Sequence, residues 1–129
     1  KDNEHFAIKM AADRLPRFGY NSDQIKHIQE IILSTASGKK PKNLLEKILC
    51  DADHDYLGRA DYYHIALKLR NELANFGQHF TESEWVSFQL NYMVGTHRFH
   101  TDTAKNIRLQ GKKARISELK EQLNTLTLK

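Results

Sequence analysis

The apolar residues of this chain recur at spacings of three and four positions from one end of the sequence to the other. This is the period that places side chains on one face of an α-helix. It recurs in six segments, which cover residues 6–15, 25–32, 44–49, 62–73, 85–93 and 104–123. No run alternates between apolar and polar residues with the period of two that a half-buried β-strand requires. We therefore predict an all-α fold, a bundle of about six helices.

Residues that start and stop helices agree with this division. The expected boundaries are Pro16 at the end of the first helix, Asn21 or Ser22 as the cap of the second, Gly77 and Gly95 as breaks, Thr81 with Glu84 as a capping box, and Thr101 or Asp102 as the cap of the last helix. Tyr62 and Trp85 stand at helical spacings and are predicted to be core residues. The basic cluster at residues 112–115 is predicted to be a solvated face of the last helix.

Composition limits the class of protein further. The chain has 129 residues, of which 40% are hydrophobic and 28% charged, so we predict one helical domain over residues 1–129. The net charge is +4 and acids are interspersed among the bases, which argues against a nucleic-acid polymer as partner. No apolar run approaches the roughly 20 residues of a membrane span. Cys50 is the single cysteine, which favours a buried thiol and a reducing, cytoplasmic compartment.

The centre of the sequence, residues 48–59, crowds acids against an apolar run. Asp51, Asp53 and Asp55 stand there with His54 between the last two. Carboxylates are costly to bury unless a cation or hydrogen-bond donors compensate, and a divalent metal is a common solution. If the segment stays helical, Asp51, His54 and Asp55 share a face and Asp53 points elsewhere. The alternative is a solvated acidic helix end with no ligand.

A second polar cluster lies near the last helix. His97, Arg98 and His100 directly precede Thr101, and Arg108 follows one helical segment later. A helix N-terminus with free backbone N–H groups, two imidazoles and an arginine would suit a phosphate or another anion. The alternative is that Thr101 only caps the helix and both histidines lie on the surface.

The order of these features resembles the HD superfamily of metal-dependent phosphohydrolases, and in particular the helical HD domains of bacterial signalling proteins, some of which are joined to nucleotide cyclases. The resemblance covers most of the chain, and the central Asp-Ala-Asp…Leu-Gly block is its most specific part. It is carried by Leu15-Pro16-Arg17-Phe18-Gly19-Tyr20, by Ser34-Thr35, by Ile48-Leu49-Cys50-Asp51-Ala52-Asp53, by Tyr56-Leu57-Gly58-Arg59, and by His97-Arg98-Phe99-His100-Thr101 with Ala104 and Arg108.

The resemblance implies a divalent metal cofactor and identifies its candidate ligands. The family binds the metal through a histidine, a contiguous His-Asp pair and a later aspartate, which maps onto Asp53 with Asp51 as its neighbour. Glu4 stands in a segment that resembles the one following the His-Asp pair and is a candidate outer-shell or acid/base group. The dipeptide His54-Asp55 lies inside the later-aspartate block, so by position it is not the family's pair. The resemblance therefore implies a domain whose first helices and ligands would precede Lys1.

The implied activity is hydrolysis of a phosphate ester, with a phosphorylated small molecule or nucleotide as substrate. Arg59, His97 and Arg108 are then the candidate residues of a phosphate pocket. The chain alone is expected to bind metal weakly or not at all, because one aspartate does not complete a site. The alternative is a non-catalytic helical module that regulates or dimerises. Exposed apolar side chains such as Phe6 and Met10 would promote a homodimer in that case.

Overall fold

Helices are the only regular secondary structure in the computed structural model of the chain, which describes residues 3–128. The predicted all-α fold is confirmed. The α-helices are α1 (Asn3–Arg14), α2 (Ser22–Leu33), α3 (Leu44–Asp53), α4 (Tyr62–Asn75), α5 (Glu82–Asn91) and α6 (Asp102–Thr127). Short 3-10 turns lie at Leu15–Phe18 and Asp55–Gly58, and a π-helical turn lies at Tyr92–Thr96.

The described residues form two compact units along the chain, an N-terminal unit that ends at Asp53 and a C-terminal unit that begins at His54. The prediction of a single domain over residues 1–129 stays a prediction. Among the helices of residues 3–128, none combines the length and the apolar character that crossing a membrane requires.

The N-terminal unit packs α1 against α2 and α2 against α3. The side-chain amide of Gln29 on α2 donates a hydrogen bond of 3.1 Å to the carbonyl oxygen of Ile8 on α1. The thiol of Cys50 on α3 donates to the carbonyl oxygen of Ser34 at 3.3 Å. Burial raises the pKa of the Cys50 thiol, and the side-chain hydrogen bond with Ser34 opposes that shift. The expectation of a buried cysteine is confirmed.

The predicted caps of the N-terminal unit follow local chemistry. Asn21 caps α2 in a capping box, in which its side chain accepts from the backbone N–H of Gln24 and the Gln24 side chain accepts from the backbone N–H of Asn21. Pro16 stands in the 3-10 turn that follows α1. Proline has no backbone N–H to donate, so it does not continue the α-helix. Gly19 ends that turn with a φ of 83°.

The C-terminal unit has one apolar core. Its buried members are Leu57, Tyr62, Ala66, Trp85, Val86, Leu90, Met93 and Leu119. Tyr62 is 1% exposed and Trp85 is 5% exposed, so both are core residues as predicted. Burial of the Tyr62 hydroxyl raises its pKa well above the usual range, and the hydroxyl lies 2.5 Å from the side-chain oxygen of Gln89.

Helices α5 and α6 begin as predicted and end differently. Thr81 and Glu84 form a capping box at the start of α5, and the Thr101 side chain accepts from the backbone N–H of Ala104 at the start of α6. Helix α5 ends at Asn91, before the predicted break at Gly95, because the chain passes into a π-helical turn. Helix α6 continues past residue 123 to Thr127.

Candidate functional site

Helix α3 ends with two carboxylates in its last turn. Asp51 is buried at 6% exposure and Asp53 is exposed, so the two side chains face different surroundings, as positions two apart on a helix do. The last turn of α3 carries no basic residue. The C-terminal end of a helix dipole is negative and disfavours carboxylates. The sequence therefore places two acids where a cation would stabilise the helix end.

The acids of the central segment do not share a single helix. Helix α3 ends at Asp53, and Asp55 begins the following 3-10 turn. In residues 3–128, no group of three or more His, Cys, Asp or Glu side chains is arranged to hold a metal ion. Asp53 and Asp51 have the oxygen donors that a hard cation prefers, but the described part of the chain does not bring a complete set of ligands to them.

In the C-terminal unit, Asp55 joins two arginines. The Arg108 guanidinium donates to both carboxylate oxygens of Asp55, with Nε at 2.5 Å from Oδ1 and Nη2 at 3.2 Å from Oδ2. Arg59 Nη1 lies 3.6 Å from Oδ2 of the same carboxylate. Arg59 also donates two hydrogen bonds to Asp61, whose pKa it lowers. Two of the predicted phosphate-pocket residues are therefore brought together, and each is held by an acid.

Two glycines set the backbone geometry of this ion-pair group. Gly58 ends the 3-10 turn and Gly111 lies in α6, where the two backbones come into direct contact. A Cβ atom on Gly111 would collide with the Gly58 carbonyl, and one on Gly58 would collide with the backbone of Arg108. Only glycine allows this approach, which brings the turn carrying Asp55 against the helix carrying Arg108.

A cluster of rings lies in the same unit, and its member His54 directly precedes Asp55. The Tyr92 hydroxyl and Nε2 of His54 are 2.5 Å apart, and the rings of His54 and His97 are 5.0 Å apart. The rings of His97 and Phe99 are nearly perpendicular, with their centres 4.7 Å apart. The backbone N–H of His97 donates to the carbonyl oxygen of Tyr92 at 2.8 Å, which closes the π-helical turn. Turns of this kind are frequent at functional sites, and here the turn places Tyr92 and His97 close together.

Lys112 completes this cluster, although it was predicted to be solvated. The prediction is wrong, because Lys112 is 5% exposed and its ammonium donates to the carbonyl oxygen of His97 at 2.9 Å. The ammonium also lies 5.9 Å from the centre of the Phe99 ring. Burial, and then the positive charge of Arg98, lower the pKa of Lys112 to about 8. His97 is also buried, at 5% exposure, so the alternative of a surface histidine does not hold for it.

The predicted site residues fall in both units. Glu4 lies in the first turn of α1 in the N-terminal unit, as a partly buried residue, and Asp51 and Asp53 end α3 of that unit. Arg59 and Arg108 meet at Asp55, whereas His97 belongs to the ring cluster described above. Their functional roles stay predictions.

Sequence reasoning missed Lys112 and Tyr92 as members of this cluster, whereas it had already grouped Arg98 with His97. One signal was available, because Lys112 follows Arg108 by four positions and so shares its helix face. The other contacts join residues that are far apart in the sequence, and spacing alone does not reveal them.

We compared the chain with known protein families, curated proteins and solved structures. No protein-family model, curated protein or solved structure matches the chain.

Proposed function

We propose that this chain supplies part of a metal-dependent phosphohydrolase of the HD type, acting on a phosphate ester such as that of a nucleotide. In this proposal Asp53 is one ligand of a divalent metal ion, with Asp51 beside it. Arg59, His97 and Arg108 belong to the part of the protein that receives the phosphate, and Glu4 is an outer-shell or acid/base group.

One observation carries the proposal. Asp51 and Asp53 stand together in the last turn of α3, at the negative end of the helix dipole, with no basic residue in that turn. A divalent cation beside them would offset both the two carboxylate charges and the negative end of the helix dipole. The central Asp-Ala-Asp…Leu-Gly block is also the part of the sequence that most resembles the HD superfamily. The electrostatics and the resemblance thus point to the same two residues.

A bound divalent ion would polarise a phosphate ester and lower the pKa of a water molecule, so that hydroxide attacks at neutral pH. The chain's own residues contribute binding and charge. Asp53 contributes a carboxylate ligand on the exposed side of α3, and Asp51 adds negative charge one half-turn away. In the C-terminal unit, basic side chains supply the positive charge that a phosphate ester requires.

The test compares metal content and phosphoester hydrolysis in the full natural protein that contains this chain. We expect Asp53→Asn to lower bound transition metal, measured by elemental analysis, by about tenfold or more. Hydrolysis of p-nitrophenyl phosphate should fall by a similar factor. Asp13→Asn is the matched control, because it removes a carboxylate that is 67% exposed on α1.

Unchanged metal content and hydrolysis in Asp53→Asn would contradict the proposal, and so would a wild-type protein that binds no divalent metal at any concentration tested. A selective loss in Asp53→Asn, with Asp13→Asn unaffected, would support it.

A second candidate function, a module that dimerises, is favoured by the surface of α1. Phe6 is 65% exposed and Met10 is 36% exposed, and a separation of four positions puts them on one face. We expect the mass measured by light scattering to rise with protein concentration in this case, and Phe6→Ser to abolish the rise. Phe76→Ser, at a position with 76% exposure after α4, is the control. A monomer at all concentrations would exclude this function.

A further inference from the structure

Two cations of the C-terminal unit converge on one neutral oxygen. The carbonyl oxygen of His97 accepts a hydrogen bond of 2.9 Å from Lys112 Nζ and one of 2.8 Å from Arg98 Nη1. The two nitrogens are therefore within about 6 Å of each other, since both lie at hydrogen-bond distance from the same atom. Arg98 Nη1 also donates to the carbonyl oxygen of Val94 at 3.0 Å. Both acceptors are uncharged, so neither compensates the two positive charges.

No acid of the described chain lies within ion-pair distance of either cation. Asp102, the nearest acid along the sequence, is 97% exposed and faces Lys105 at 3.7 Å. Asp55 and Glu118 contact other arginines, Arg108 and Arg115 respectively. A buried ammonium beside a second cation is electrostatically unfavourable, and this is why the pKa of Lys112 is lowered.

The ammonium also retains hydrogen-bonding capacity. It carries three N–H donors, and the one hydrogen bond that it makes within residues 3–128 is the bond to His97. Lys112 is buried, whereas Arg98 is exposed and lies between the π-helical turn and α6, in a segment without regular secondary structure. The pair therefore has a closed side and a side that faces solvent. These features suit a small anion with several acceptor oxygens.

We propose that Lys112 and Arg98 form a binding site for a phosphoryl oxyanion. The anion enters from the side of Arg98, whose guanidinium contacts two of its oxygens, and Lys112 donates to a third from the buried side. The inference rests on the proposed function only where it identifies this oxyanion as the phosphoryl group of the substrate. The site shares His97 with the predicted phosphate pocket but differs from it in its cations, because Arg59 and Arg108 are already held by Asp55 and Asp61.

The experiment titrates the metal-free protein with inorganic phosphate and measures heat by calorimetry. We expect saturable binding, weakened about tenfold or more by Lys112→Met and by Arg98→Gln, because each removes a charged hydrogen-bond donor. Lys113→Gln removes the same charge from the adjacent, exposed position of α6 and should leave binding unchanged. Circular dichroism and thermal unfolding of each variant show that it folds.

A second measurement does not depend on a variant. Labelling lysine at Cε allows the Lys112 ammonium to be titrated by NMR, and added phosphate should raise its pKa, because a bound anion favours the charged form. An unchanged pKa of Lys112 in the presence of phosphate would overturn the inference. So would a Lys113→Gln variant whose affinity for phosphate falls as much as that of Lys112→Met. The two proposals can also fail separately. If phosphate binding requires Lys112 and Arg98 but the protein shows no metal-dependent hydrolysis, the oxyanion site is supported and the phosphohydrolase function is contradicted.

Discussion

The carboxylate of Asp55 and the guanidinium of Arg108 form a two-point hydrogen-bonded pair, although 53 positions separate them in the sequence. Both side chains are 30% exposed, so the pair is partly shielded from water. Bidentate geometry and partial burial distinguish it from the exposed ion pairs of α1 and of the first turn of α6. It connects the 3-10 turn after α3 to α6 and so holds together two distant parts of the C-terminal unit.

Breaking this pair should destabilise the protein measurably. We expect Arg108→Gln to lower the free energy of unfolding by about 1 kcal/mol, because it leaves a partly buried carboxylate without its two donors. Urea unfolding of Arg108→Gln, Asp55→Asn and the double variant gives the interaction energy of the two side chains. Lys105→Gln, which breaks the exposed pair with Asp102, should change the free energy by less than about 0.5 kcal/mol. Equal effects of the two substitutions would contradict the structural role of Asp55.

The contact between the two glycine backbones predicts an unusual response to alanine. In an open helix interior Gly→Ala stabilises by roughly 1 kcal/mol, yet Gly111→Ala should destabilise by about 1–2 kcal/mol, because its Cβ would collide with the carbonyl of Gly58. Gly95→Ala is the control, since nothing lies within 4 Å of its Cβ position. Thermal and urea unfolding of both variants test the prediction. A stabilised Gly111→Ala would show that the two backbones do not touch.

Lys112 should lower stability at neutral pH. Its pKa falls from 10.5 to about 8 on folding, so the folded state binds its proton less tightly than the unfolded state does. We expect Lys112→Met to raise the free energy of unfolding at pH 7 by about 1–3 kcal/mol. The His97 carbonyl oxygen still accepts from Arg98 in this variant, so the substitution leaves no buried acceptor unpaired.

The same shift fixes the sign of a pH dependence. Below pH 8 Lys112 is protonated in both states; between pH 8 and 10.5 the unfolded state holds more protons, so wild-type stability rises with pH. The free energy of unfolding of Lys112→Met should therefore exceed that of the wild type by less at pH 9.5 than at pH 7. This window ends before the usual pKa of tyrosine, and the pKa of Tyr63 is raised to about 12. A difference that stays constant across the window would contradict the lowered pKa of Lys112.

The cap of α5 gives a local test of helix initiation. Thr81→Ala should lower the free energy of unfolding by about 1 kcal/mol, because the backbone N–H of Glu84 loses its acceptor. Thr103→Ala removes an exposed threonine from the first turn of α6 and should be neutral or slightly stabilising. Urea unfolding distinguishes the two. If both substitutions lowered the free energy of unfolding equally, the effect would come from the loss of any threonine and not from the loss of the cap.

The sequence was sufficient for what depends on neighbouring residues. Helix periodicity, the capping box at Thr81 and Glu84, the cap at Asn21 and the core positions of Tyr62 and Trp85 all follow from spacings within a few positions. Each of these predictions is confirmed, because hydrogen bonds at helix ends and amphipathic faces are decided within one or two turns.

Contacts between distant residues were beyond sequence reasoning. Lys112 stands in a basic run, which ordinarily lies in water, and only the fold brings it under the segment that carries His97 and Phe99. Likewise, the sequence analysis grouped Asp55 with the neighbouring acids of the central segment, whereas its hydrogen-bond partner is Arg108 on α6. Asp53 as a metal ligand depends on ligands from elements that residues 3–128 do not bring to it. That role stays a prediction.

The turn between α5 and His97 makes the site depend on how the backbone winds as well as on which residues it carries. A π-helical turn holds one residue more than an α-helical turn, and the bond from the His97 N–H to the Tyr92 carbonyl spans that extra residue. Wound as an α-helix, the same residues would place His97, five positions after Tyr92, about 140° away from it around the helix axis. Tyr92 and His97 would then face different directions with every side chain of the cluster still present.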